Sequence, residues 1–163
     1  MILGMSTAAF TLLHVVISLV GIVSGLLVMY GFFHRSRQGA MTAIFLIFTV
    51  LTSVSGFGFP FDHLLPSHKV GILSLVFLAI AILALYVFHL AGAWLKVYVV
   101  TASLALYLNV FVLVAQLFQK VPPLNALAPT GKEPPFLVAQ LVVLAVFVWL
   151  IILAVKRYHP EPT

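Results

Sequence analysis

The chain has 163 residues, of which 64% are hydrophobic and only 7% are charged. Soluble domains carry about 25% charged residues, so this composition excludes an ordinary soluble protein and indicates a chain surrounded mostly by lipid. Its eight scattered cations, which leave a net charge of +5, form no nucleic-acid-binding surface, and the absence of cysteine excludes disulfides, thiolate metal sites and cysteine nucleophiles.

Five apolar runs each approach or exceed the length of about 20 residues that a membrane-spanning helix needs. They cover about residues 8–33, 40–60, 70–91, 95–118 and 136–155. The sequence therefore predicts an all-α fold, a polytopic transmembrane bundle in which residues 1–163 form a single integral membrane domain. Only Gly92 and its neighbours separate the third and fourth runs, which predicts a tight antiparallel hairpin.

The amino-terminal stretch MILGMSTAAF has no positively charged region, so we expect it to be retained rather than cleaved. Lysine and arginine in the short loops predict the orientation. With the amino terminus outside, the cytoplasmic segments hold five basic residues and the outer segments hold three. The five are Arg35, Arg37, Lys96, Lys156 and Arg157, and the three are Lys69, Lys120 and Lys132.

Small and polar residues follow one face of the first predicted helix. Ser18, Gly21 and Gly25 repeat at spacings of three and four, and the G-x-x-x-G pair allows another helix to approach closely. The pattern predicts a helix-packing face, used either inside the bundle or between two copies of the chain.

Uncharged polar side chains gather toward the outer half of the predicted bundle. They are His14, Asn109, Gln116 and Gln140. An amide as deep as Asn109 is expected to find a partner on another helix. His14 is the one histidine in an outer intramembrane position, which makes it a candidate functional residue. The alternative is a neutral histidine that hydrogen-bonds a neighbouring helix.

The stretch SGFGFPFDHLLPSHKVG links the second and third runs. Its aromatic residues Phe57, Phe59 and Phe61 lie at the depth of the outer polar residues, and Asp62, His63 and His68 form a candidate lid. Pro60 is expected to end one helix and Ser67 to cap the next. Zinc at Asp62, His63 and His68 has a weak spacing signal, and haem needs two histidines at one depth, so no metal or cofactor is predicted.

The acidic residues are too few for most chemistry that membrane enzymes and transporters perform. Asp62, Glu133 and Glu161 are the only ones, and no charged residue lies inside a predicted span apart from Lys96 at an edge. Ion pathways usually use such groups, and no nucleophile–base–orienter set can be assembled. We therefore predict no catalytic residue and expect no enzymatic activity.

Two stretches, GFGFPFDHLLPSHKVGILSLV and YVVTASLALYLNVFVLVAQLFQKVPPLNALAPTGKEPPFLVAQLVV, cover about half of the chain. They resemble those of a group of small, uncharacterised bacterial inner-membrane proteins. The resemblance implies a multi-pass protein of the bacterial cytoplasmic membrane. It implies no activity and no functional residue.

Together these patterns favour a non-enzymatic accessory or structural subunit of a larger membrane complex, or a self-associating protein. Its partners would be the lipid bilayer and another membrane protein or a second copy. The alternative is a binding protein for a quinone, a lipid or haem in the outer half of the bundle. In that case His14 and the amides would hydrogen-bond the ligand while the loop phenylalanines cover its ring.

Overall fold

The computed structural model describes residues 1–160, and these are helical apart from loops and an isolated bridge between Ile2 and Met5. The six helices are α1 (Thr7–Phe33), α2 (Gly39–Gly56), α3 (Pro66–Ile82), α4 (Trp94–Lys120), α5 (Pro122–Leu127) and α6 (Pro134–Arg157). A π-helical turn, Leu83–Val87, extends α3. All except the short α5 are long and apolar enough to cross a membrane, which confirms the five predicted apolar helices.

The predicted boundaries between the second and third helices are wrong. α2 ends at Gly56, before Pro60, because the Phe57 amide donates back to the Val54 carbonyl at 3.1 Å. α3 begins at Pro66, whose ring needs no amide partner at the first helical position. Ser67 therefore lies inside the first turn and is not the cap.

The hairpin between α3 and α4 is as tight as predicted, although α3 stops earlier than residue 91. Its π-helical turn ends at Val87, and the chain then reverses through left-handed backbone at His89, Leu90 and Gly92. Phe88 stacks on Trp94 with ring centroids 4.0 Å apart, which joins the two sides of the turn.

Four of the helices form a ring. α1 contacts α2, α2 contacts α3, α3 contacts α4, and α4 returns to α1, while α6 packs outside the ring against α4 and α1. The start of α1, the 57–65 loop and the 121–133 connection lie at one end, which we call the loop-rich end. Near the other end the ring is filled by a core that includes Phe32, Tyr98 and Ala84.

The small-residue face of α1 is used within the chain. A Cβ atom on Gly21 would lie 3.3 Å from the Thr49 hydroxyl of α2, and one on Gly25 would lie 2.6 Å from Leu106 of α4. Ser18 instead donates to the His14 carbonyl of its own helix at 2.7 Å. The two glycines therefore let α1 approach α2 and α4, and they are not free to contact a second copy.

Replacing Gly25 with alanine tests this close approach. The added Cβ meets Leu106 and the Phe45 ring at 2.6 and 2.8 Å, and both side chains are 1% exposed, so neither has room to move. Overpacking of this kind costs about 1–3 kcal/mol, which equilibrium unfolding in detergent would measure. Gly39→Ala is the control because nothing lies within 4 Å of its added Cβ. Equal stability of the two variants would contradict the packing.

Candidate functional site

A cavity of about 70 Å³ lies inside the four-helix ring near the loop-rich end. Six of its eleven lining residues carry polar side chains, and they come from all four helices. They are His14 of α1, Thr52 and Ser53 of α2, Ser67 and Ser74 of α3, and Asn109 of α4. The cavity therefore brings polar side chains from four long apolar helices together on a lining that also includes Val70, Leu108 and Val112.

Two of these residues are buried without a hydrogen-bond partner among residues 1–160. Ser74 is 4% exposed and Asn109 is 9% exposed, and the unpartnered atoms are the Ser74 hydroxyl and the Asn109 side-chain nitrogen. The interhelical hydrogen bond expected for that nitrogen does not form among residues 1–160. Leaving a buried polar group unpaired costs about 1–3 kcal/mol, so both atoms favour an occupant that can hydrogen-bond.

His14 is tied to the neighbouring helix. Its Nδ1 lies 2.7 Å from the Ser55 hydroxyl of α2, and its ring meets the Phe59 ring edge-on with centroids 5.4 Å apart. Either tautomer can make the Ser55 hydrogen bond. In both, Nδ1 is committed to α2 and Nε2 remains available for a ligand.

The 57–65 loop, which we call the aromatic loop, packs onto the loop-rich end of the bundle. Phe57 stacks on His68 with ring centroids 5.2 Å apart, and Phe61 approaches the same imidazole at 4.2 Å. Phe59 lies against Phe10 at 5.0 Å. A Cβ on Gly58 would come within 2.7 Å of the Phe10 ring, so glycine is required there for this close contact.

His68 has a structural role that the sequence did not reveal. It is 4% exposed, and its Nδ1 accepts the Leu65 amide at 3.1 Å, which satisfies the backbone at the start of α3. Asp62 and His63 are exposed. Among residues 1–160 no three metal-binding side chains come together, so these loop residues do not build a zinc site.

The two glutamines lie outside the cavity. Gln140 donates to the Phe111 carbonyl at 3.0 Å and so links α6 to α4. Gln116 is half-buried and is not among the lining residues. The predicted polar cluster therefore divides, because only His14 and Asn109 share the cavity.

The sequence did not identify Ser74 as a site residue. The spacing of Ser67, Gly71 and Ser74 could have indicated it, since steps of four and three keep small residues on one helix face. The same spacing was recognised in α1, where it predicts packing.

No protein-family model matches the chain, and no curated protein or solved structure matches it significantly. Its function is therefore inferred from the cavity, the loops and the outer surface of the protein. The cavity volume is the first constraint. An engineered cavity of about 150 Å³ binds benzene, and drug-sized ligands occupy about 300–1,000 Å³, so the cavity of about 70 Å³ is smaller than those that hold an aromatic ring.

The 121–133 connection is fixed by Glu133. Its carboxylate accepts the Thr130 hydroxyl at 2.7 Å, the Thr130 amide at 3.1 Å and the Lys132 amide at 3.0 Å. The Thr130 hydroxyl, followed by backbone amides, lowers the pKa of Glu133 from 4.5 to about 2. The carboxylate is therefore ionised at neutral pH and holds the loop before α6.

Glu133→Gln is expected to loosen this connection because the amide keeps the shape but loses the negative charge. The Thr130 and Lys132 amides should then exchange with deuterium several-fold faster in mass spectrometry. Because the folded-state pKa lies below 4.5, the contacts are complete above pH 4.5 and are lost as the pH falls toward about 2. Asp62→Asn removes the same charge from the other loop and should leave this exchange unchanged. Equal exchange in wild type and Glu133→Gln would contradict the prediction.

Proposed function

We propose that the chain is a non-enzymatic integral protein of the bacterial cytoplasmic membrane that spans it five times, with its amino terminus outside. It serves as an accessory or structural subunit of a larger membrane complex, or it associates with itself. The five long apolar helices support the membrane location. The five basic residues at one end of the bundle, against three at the loop-rich end, support the orientation.

The outer face of α6 supports the subunit role. The buried residues of α6, Gln140, Phe147 and Ala154, recur every seventh residue and form one narrow edge. Most other large apolar side chains of α6 are exposed, among them Leu141, Val142, Trp149 and Ile152. The chain therefore covers one edge of α6 and leaves the rest of its apolar surface for lipid or a neighbouring helix.

Trp149 is the observation that carries the proposal. Its side chain is 60% exposed, and it lies eight residues before Arg157, about 12 Å along the helix at 1.5 Å per residue. That depth is below the interfacial belt where tryptophan is usually found. Acyl chains offer no acceptor to the indole N–H. A neighbouring membrane helix supplies both an acceptor and a packing surface.

Extraction in a mild detergent tests the subunit role. The wild type should bring down a second membrane protein, or a second copy of itself, in fixed stoichiometry. Trp149→Ala should weaken that association at least about tenfold, or about 1.4 kcal/mol, because buried tryptophans dominate interface energies. Trp149→Phe separates the loss of the N–H from the loss of area.

Ile72→Ala on α3 is the matched control, since Ile72 is 47% exposed on another helix. It should leave the association unchanged. A wild-type protein that is always a lone monomer under these conditions would rule out the subunit role.

The lipophilic-ligand function is less well supported. The unpartnered Ser74 and Asn109 favour a ligand, but the cavity is smaller than those that hold an aromatic ring. A lipid would have to insert only a small neutral head group. Mass spectrometry of lipids extracted with the protein tests this: a lipid in fixed stoichiometry that His14→Ala loses would support it.

A further inference from the structure

The lining of the cavity becomes more buried from the loop-rich end inward. Ser67, in the first turn of α3, is the one exposed lining residue. Gly71, one turn further, is partly buried, and Ser74, one turn beyond that, is 4% exposed. The cavity therefore has its mouth near Ser67 and reaches about 10 Å along α3, seven residues at 1.5 Å per residue.

The ring is closed beyond this depth. Leu78, one turn past Ser74, is 1% exposed, and Leu106, on the far side of Asn109, is also 1% exposed. A second void, between Gly25, Phe45 and Leu106, has a volume of about 0 Å³, so it has no space for a water molecule. Within residues 1–160, these packed side chains close the cavity toward the opposite end of the bundle.

The chemistry of the lining selects a small neutral occupant. The Asn109 nitrogen is a donor and the Ser74 hydroxyl is both donor and acceptor, and neither has a partner among residues 1–160. Among residues 1–160, His14 is the one acidic or basic side chain on the lining, so the natural pocket gives an ion no counter-charge, which only an introduced thiolate would supply. Water offers both donors and acceptors, and it needs only about 10–15 Å³ per molecule in a cavity of this kind.

We infer that this cavity is a water-filled pocket that opens at the loop-rich end and ends at Ser74 and Asn109. It binds water, or a neutral hydrogen-bonding solute of similar size, deep within the helix bundle. This inference rests on the five-span arrangement proposed above, but it does not depend on the subunit role. The pocket admits solvent from one side only, so it is not a channel.

Single-cysteine variants test the pocket because the natural chain contains no cysteine. The probe is Ag⁺, a small membrane-impermeant cation that binds thiolates. It is added to either side of sealed vesicles that hold protein in one orientation. Thiols that remain free are then counted by maleimide labelling of the denatured protein and mass spectrometry.

Ser74→Cys is paired with Ser24→Cys, because Ser74 and Ser24 are both 4% exposed and only Ser74 lines the pocket. A thiol without water has a raised pKa and reacts slowly. Ser74→Cys should therefore react with Ag⁺ at least about tenfold faster than Ser24→Cys, since one pKa unit is a tenfold change in thiolate. The reaction should occur only from the loop-rich side. Ser53→Cys, also on the lining, serves if Ser74→Cys does not fold.

Two exposed positions establish the orientation before the pocket is judged. Ala126→Cys reports the loop-rich side and Ser36→Cys reports the other side. If both react from the same side, the five-span arrangement fails. If they report opposite sides and Ser74→Cys reacts no faster than Ser24→Cys, the pocket is dry and the inference is overturned. Reaction of Ser74→Cys from both sides would also overturn it, because the floor would be open.

Discussion

The structure depends on one constraint: in a bundle of helices apolar enough to cross a membrane, a polar side chain must find its hydrogen-bond partners within the protein, because lipid would offer none. Among residues 1–160, six hydroxyl groups meet this need by donating to a carbonyl of their own helix. Ser24 donates to the Val20 carbonyl at 2.6 Å and Thr101 donates to the Val97 carbonyl at 2.7 Å. In the part of the chain that the structure describes, the buried polar atoms without a partner lie on Thr49, Ser74, Asn109 and Gln140, and of these residues Ser74 and Asn109 line the cavity. The cavity therefore offers those two a place for a hydrogen-bonding occupant.

The helices pack differently in the two halves of the ring. In the half away from the loops, small residues let the helices approach closely: Ala81, Ala84 and Ala105 are 0% exposed, and Gly25 has no room for a Cβ. That packing fixes the helix positions. Toward the loop-rich end the facing residues are serine, glycine, asparagine and histidine, which do not fill the space between the same helices. The aromatic loop packs over this end and holds His14 and His68 in place.

The five long helices could be predicted because an apolar run of about 20 residues has few other structures open to it. The ends of these helices could not be predicted, since α2 stops at Gly56 through local backbone hydrogen bonds rather than at Pro60. Of the four polar helix residues predicted for the site, His14 and Asn109 line the cavity. Depth and face placed His14 and Asn109 together, but depth could not show that α6 lies outside the ring, which separates Gln140 from them. Ser74 could be matched to Asn109 only once the pairing of α3 with α4 was known.

The account requires above all that the outward faces of these helices lie in hydrocarbon. Spin labels on α3 at Ile72 and Val76, and on α1 at Val16 and Val23, report this directly in lipid bilayers by electron paramagnetic resonance. All four side chains are at least 47% exposed on the protein surface. The account predicts frequent collisions with dissolved oxygen and few with a water-soluble nickel complex at every one of these positions. Frequent collisions with the nickel complex would show that the helices lie in water, and that result would contradict the account.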